Sequence, residues 1–198
     1  MCMCKKSIIY VLLVLATYPI SLLLAFFLKP APIANILGFF ALLSYIATLL
    51  PSLIKLVFPA TKKNKFLIQL LKYRRHIGVA AFSLGLNHGV LLIIKLHINL
   101  FAPHTYITYF QGIITLSIFT LLAFTSHDQA VKNLKSKWKK LHQLTYLAIF
   151  ILPWHILDKM SGHWTYITPI AVFLTTGIAI LFIVRQYKSN KISQATSK

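Results

Sequence analysis

Three histidines stand inside apolar sequence: His88, His142 and His155. An ionisable side chain at membrane depth is costly and marks function by default. Imidazole is the commonest metal-ligating side chain and the usual axial ligand of haem iron. Two histidines from neighbouring helices can clamp a flat macrocycle between them, a common device of helix bundles. His88 lies in "SLGLNHGV", where Gly85 and Gly89 leave room beside it for such a ring. The same Gly-x-x-x-Gly spacing also serves plain helix packing.

His142 and His155 share one apolar run and are thirteen positions apart. On a helix that is a rise of about 19.5 Å, enough to separate two ligand layers within one bilayer. An ideal helix leaves the two side chains about 140° apart around its axis. Pro153 lies between them and is the candidate for bending or rotating the outer half.

The elements that position these residues follow from composition. The chain has 198 residues, of which 58% are hydrophobic and 13% aromatic. Mean hydropathy is +0.74, and a water-soluble domain of this size cannot hide so much apolar surface. Lipid is the solvent that suits it, so the lipid bilayer is the first partner. Six apolar runs follow one another, at 8–28, 34–58, 76–98, 106–126, 140–157 and 165–185. Each approaches the ~20 residues that cross a bilayer as a helix, and helices are the form that satisfies backbone groups in lipid. The expectation is an all-α integral membrane protein, a single domain over 1–198 with six transmembrane helices. The first run follows Lys5 and Lys6 like a signal peptide. It is too long for one and has no small-residue cleavage site, so it reads as a retained anchor.

The charge is lopsided, with 21 Lys plus Arg against two acids, Asp128 and Asp158. A net charge of +19 raises nucleic acid as a partner, but the cations sit in short clusters between apolar runs rather than in a binding stripe. With the N-terminus in the cytoplasm, 18 cations fall inside and only Lys29, Lys95 and Lys159 outside. That asymmetry places both termini in the cytoplasm and the chain in the cell (inner) membrane. Trp154, Trp164 and Tyr166 suit an outer aromatic belt, and Tyr73 and Trp138 an inner one. His88 and His155 then share the outer depth, and His142 lies at the inner end near Arg74, Arg75 and His76. His97, His104, His127 and His163 read as loop residues, with an outer metal or partner site the alternative for His97, His104 and His163. Cys2 and Cys4, the only cysteines, provide no disulfide framework and too few thiolates for a zinc site.

"RRHIGVAAFSLGLNHG" in the third run, "FTSHD" closing the fourth and "WKKLHQLTYLAIFILPWH" in the fifth resemble the ferric-reductase-like transmembrane family. Within it they are most similar to the branch of haem-binding membrane subunits that feed a periplasmic methionine sulfoxide reductase. The resemblance implies a six-helix bundle, haem b and electron transfer across the membrane. It implies His88 and His155 as ligands of an outer haem. Larger relatives use four histidines and bind two haems. This chain has Arg74 where they have a fourth histidine, so His142 is left to hold an inner haem with an unusual partner, or none. Arg74 and Arg75 match the Arg-Arg pair of that branch. They could pair with haem propionates, since a guanidinium fork suits carboxylates, or serve as inner anchors.

No Gly-rich dinucleotide fingerprint is present, and the tail after the sixth run is too short for a flavin or nicotinamide domain. Electrons are therefore expected from a cytoplasmic flavin reductase or a quinol donor, with FMN or quinone as further cofactors not derivable from the residues. The expected acceptor is periplasmic or extracellular, a reductase or ferric iron. A polytopic transporter or proton relay without haem is the competing reading. It would prefer acids within the spans and paired repeats, and neither is present.

Overall fold

A computed structural model describes Pro19, residues 33–162 and residues 164–196. The first apolar run apart from Pro19, and Cys2, Cys4, Lys5, Lys6, Lys29, His163 and Lys198, lie outside the described residues. The described residues are helical, with no strand among them. The helices are α1 (Ile33–Val57), a 3-10 turn (Pro59–Lys63), α2 (Lys65–Lys95), α3 (Pro103–Thr108), α4 (Phe110–Phe124), α5 (Asp128–Leu134), α6 (Ser136–His142), α7 (Thr145–Met160) and α8 (Ile167–Thr196).

Five of them close a ring. α1 packs on α2, α2 on α4, α4 on α7, α7 on α8, and α8 returns to α1. Every member sends apolar side chains to one shared core, among them Leu49 from α1, Ala81 from α2, Phe119 from α4, Ile149 from α7 and Ile178 from α8. Tyr45 is buried in that core, and its hydroxyl donates to the Thr145 carbonyl at 2.6 Å, tying α1 to the start of α7. The outward faces remain apolar, with Phe173 and Phe124 largely exposed. Apolar surface on both the inside and the outside of a bundle is what a lipid solvent permits.

Three helices are long and apolar enough to cross a membrane: Ile33–Val57, Lys65–Lys95 and Ile167–Lys191. The fourth and fifth apolar runs, 106–126 and 140–157, are divided. The fourth is split between α3 and the 15-residue α4, which meets α5 at a bend of 94°. The fifth is split between α6 and the 16-residue α7. Hydropathy marks where a run is apolar and does not register where backbone hydrogen bonding stops. For the same reason α2 begins well before the third run: Asn64 caps it, its side chain accepting from Phe66 N and Leu67 N, and the helix proceeds through charged sequence.

The two ends of the bundle differ in chemistry. One end gathers the cations of the 3-10 turn, the start of α2, α5, α6 and the end of α8. There Arg75 pairs with Asp128 at 2.6 Å, and Lys188 donates to the Val57 carbonyl at 2.8 Å. The other end holds Lys95 and Lys159. Lys159 pairs with Asp158 and donates to the Thr108 carbonyl.

Candidate functional site

His88 comes from α2 and points at the first turn of α1. Its Nδ1 lies 2.6 Å from the Ala34 carbonyl oxygen. A carbonyl only accepts, so Nδ1 carries the proton and Nε2 keeps a lone pair. Gly38, one turn further along α1, lets the ring approach. A Cβ there would lie 3.0 Å from His88 Cε1 and Nδ1. His155 from α7 is seated in the same way on Gly112 of α4, where a Cβ would lie 3.2 Å from its Cε1. His155 Nδ1 is buried and has no hydrogen-bond partner. Two ring-bearing helices, α2 and α7, thus bring their histidines to one end of the bundle, each imidazole fitted against a glycine of a neighbouring helix.

His142 belongs to the other end. Its ring stacks on Trp138, with centroids 4.0 Å apart. Its Nε2 lies 3.2 Å from the Thr125 hydroxyl, which itself donates to the Leu121 carbonyl at 2.7 Å. With that proton committed, the hydroxyl accepts, and His142 Nε2 carries the proton. Trp138 Nε1 donates to the Thr125 carbonyl at 2.8 Å, so both rings are held by one residue. A cavity of about 250 Å³ opens beside them, lined by Arg74, Arg75, Trp138, Lys139, His142 and Tyr146 among others.

His142 and His155 are phased by the break between α6 and α7. Gln143, Leu144, Tyr146 and Leu147 each donate to the carbonyl three residues back. Gln143 N also donates to the Lys139 carbonyl. A 3-10 step turns about 120° rather than 100°, which brings the two side chains closer in phase than the ideal offset of about 140°. Pro153 lies within continuous α7.

Residues 37–153 match the family model described as "Ferric reductase like transmembrane component". The chain belongs to this family. Relatives named "Protein-methionine-sulfoxide reductase heme-binding subunit MsrQ" from Brucella ovis, Brucella canis and Brucella suis are each 30% identical over 127 residues. The alignment covers 61% of this chain and 56% of each relative, so the chain spans little more than half the length of the curated relatives it matches. No solved structure matches it.

The histidines of this ferric reductase-like chain fit haem unequally. His88 offers Nε2 with its tautomer already set by Ala34, the arrangement metal-bound imidazoles favour. His155 has a buried Nδ1 without a partner and a glycine cradle of its own. The donor set of that layer suits an axially ligated haem iron. At the other end no second histidine lines the cavity beside His142 among the described residues, and its Nε2 is held by Thr125. Arg75 is committed to Asp128, while Arg74 lines the cavity.

The imidazoles themselves lie against Gly38 and Gly112 rather than against Gly85 or Gly89. A Cβ at Gly85 or Gly89 would make ordinary contacts at 3.9–4.0 Å with side chains of α4 or α1, so they serve packing. Gly38 and Gly112 hold the close approaches, and their sequence signal was a single glycine inside an apolar helical run. Ala34, Thr125 and the stacked Trp138 left no such signal, because a backbone acceptor or a ring stack has no spacing of its own. His97 ends α2 with φ +47°, and Ile98 N donates back to the Ile93 carbonyl, a helix-terminating pattern. His127 caps α5 by accepting from Ala130 N. Both are structural residues of loops, as expected.

Proposed function

We propose that this chain is a haem b-binding member of its family that passes electrons across the inner membrane, from a cytoplasmic flavin reductase or quinol to an outer-face acceptor. That acceptor is a periplasmic reductase, in keeping with the methionine-sulfoxide reductase that the relatives' names mention, or ferric iron. The haem supplies one-electron redox chemistry when bound. The reading takes six spans, with the first apolar run joining the five ring helices and both termini on the cytoplasmic side. The support for orientation is the concentration of cations at the Arg74 end of the bundle.

In this reading His88 and His155 would hold the haem iron. His88 would bind through Nε2, because the Ala34 carbonyl holds Nδ1. His142 marks the inner station, with Arg74 and Arg75 placed to neutralise a bound anion or propionate. A second haem there would require His142 to release Thr125 or to bind through Nδ1. The observation that supports the reading is that His88 and His155 each lie against a glycine of a neighbouring helix, Gly38 near the start of α1 and Gly112 near the start of α4.

The test is the reduced-minus-oxidised spectrum of three purified variants. His88→Ala and His155→Ala should each lose the low-spin haem band or turn it high-spin. His142→Ala should keep that band and slow electron input from the cytoplasmic side. If His142→Ala loses all haem while His88→Ala retains it, the layered assignment is wrong.

A further inference from the structure

Two buried polar atoms on the facing helices α7 and α4 lack partners among the described residues: His155 Nδ1 and Gln111 Oε1. Gln111 is 6% exposed, so its amide oxygen has little water to turn to. The two residues meet in one seam. Gly112, the next residue after Gln111, has its Cβ position 3.2 Å from His155 Cε1 and 3.7 Å from Nδ1. Gln111 Nε2 donates across the same seam to Asp158 Oδ2 at 3.3 Å. Asp158 is three residues beyond His155, on the same face of α7.

The amide cannot be turned round at will. A carboxylate accepts and does not donate, so the contact with Asp158 assigns nitrogen to that side and leaves Oε1 as the free acceptor. Asp158 is itself fixed by Lys159 at 2.7 Å, and Lys159 also donates to the Thr108 carbonyl just before α4. An imidazole that binds a metal through Nε2 has a proton to donate at Nδ1, and it nearly always donates it. For His88 the acceptor is the Ala34 carbonyl. For His155 the Gln111 amide on the facing helix offers a buried side-chain acceptor without a partner among the described residues.

We propose that Gln111 is the positioning residue of His155, accepting a hydrogen bond from His155 Nδ1–H and so presenting Nε2 to the haem iron. The proposal rests on the reading of His155 as a haem ligand. Asp158, paired with Lys159, holds the amide nitrogen and leaves Oε1 as the acceptor for that bond. A neutral amide oxygen is a weaker acceptor than a carboxylate, so it orients the ring while leaving it less basic than a carboxylate partner would.

The experiment uses the full-length haem-loaded protein in detergent. Gln111→Leu and Gln111→Glu are compared by redox titration, low-spin EPR and haem retention, following the spectral component that His88→Ala removes. Gln111→Leu should keep the bis-imidazole signal, raise the midpoint potential and weaken haem retention about 10–100-fold, the usual cost of losing such a partner. Gln111→Glu should keep the haem and shift the potential and the EPR signal the opposite way. A residue that only packs would change thermal stability without opposite shifts in potential. Unchanged potential and retention in both variants would overturn the role of Gln111 while leaving His155 as a ligand. Retention of all haem by His155→Ala would instead overturn the underlying reading.

Discussion

Gly38 and His88 occupy one space: a Cβ at residue 38 would lie 3.0 Å from both Cε1 and Nδ1 of the imidazole. The ring cannot back away freely, because Nδ1 is held by the Ala34 carbonyl. Adding a methyl group to a packed site of this kind costs about 1–3 kcal/mol. Gly38→Ala should therefore displace the ring and weaken haem retention. Gly112→Ala, with 3.2 Å to His155 Cε1, should do the same to a smaller degree. Gly85→Ala and Gly89→Ala should leave the haem unchanged, since their nearest neighbours are 3.9–4.0 Å away. Each should gain up to about 1 kcal/mol from helix propensity. Pyridine haemochrome assays and thermal melts of the four variants check the ordering, and equal haem loss in all four would refute it.

The cation asymmetry sets an expected topology. Reporter fusions after residues 70 and 136 should score cytoplasmic, and fusions after 102 and 161 should score outside. Residue 70 lies near Lys72, Arg74 and Arg75, and residue 136 among Lys132, Lys135, Lys137, Lys139 and Lys140. The outer pair is close only to Lys95 and Lys159. A swapped result at either pair would reverse the depth of His88 and His142 together.

Which features could be read from sequence depends on whether they leave a period or a composition. The apolar runs did, and so did His88, His142 and His155, because an imidazole in lipid-compatible sequence has no routine explanation. The ends of helices did not. Phe110–Phe124 stops short of the apolar run that contains it, and the break at Gln143 and Leu144 falls among ordinary helix-forming residues. The partners of the histidines were hidden for another reason. Ala34 acts through its carbonyl, which every residue has, and Gly38 acts by lacking a side chain next to a residue fifty positions away. Such contacts exist once α1 lies against α2, and single-sequence periodicity carries nothing about that neighbour.

Tyr45→Phe tests the joint between α1 and α7. The hydroxyl is buried and donates to the Thr145 carbonyl at 2.6 Å, beside the break that phases His142 against His155. Loss of one such bond costs about 0.5–1.5 kcal/mol. The variant should unfold earlier in denaturant by that amount and keep its aromatic contact with Phe119, whose ring centroid is 5.2 Å away. Chemical denaturation in detergent measures it. A variant as stable as the parent would show that water or another donor already serves Thr145.

The inner end offers a test of how electrons arrive. Arg74 and Lys139 line the cavity beside His142, while the Arg75 charge is offset by Asp128 in a half-exposed pair. Such a surface pair contributes about 0–1 kcal/mol, so Arg75→Gln should alter stability little. A cationic face attracts an acidic soluble flavoprotein through a field that salt screens, and steering of this kind accelerates association by about 10–1000-fold. Haem reduction by such a donor should then slow about tenfold or more between low and high ionic strength. Arg74→Gln and Arg75→Gln should each lower the low-salt rate, because each removes one positive charge from that face. A membrane quinol diffuses in the bilayer and carries no net charge, so its rate should be insensitive to salt and to both substitutions. Stopped-flow reduction of the haem with each donor, across a salt series, separates the two routes. A salt-independent rate with the flavoprotein would exclude electrostatic docking at Arg74.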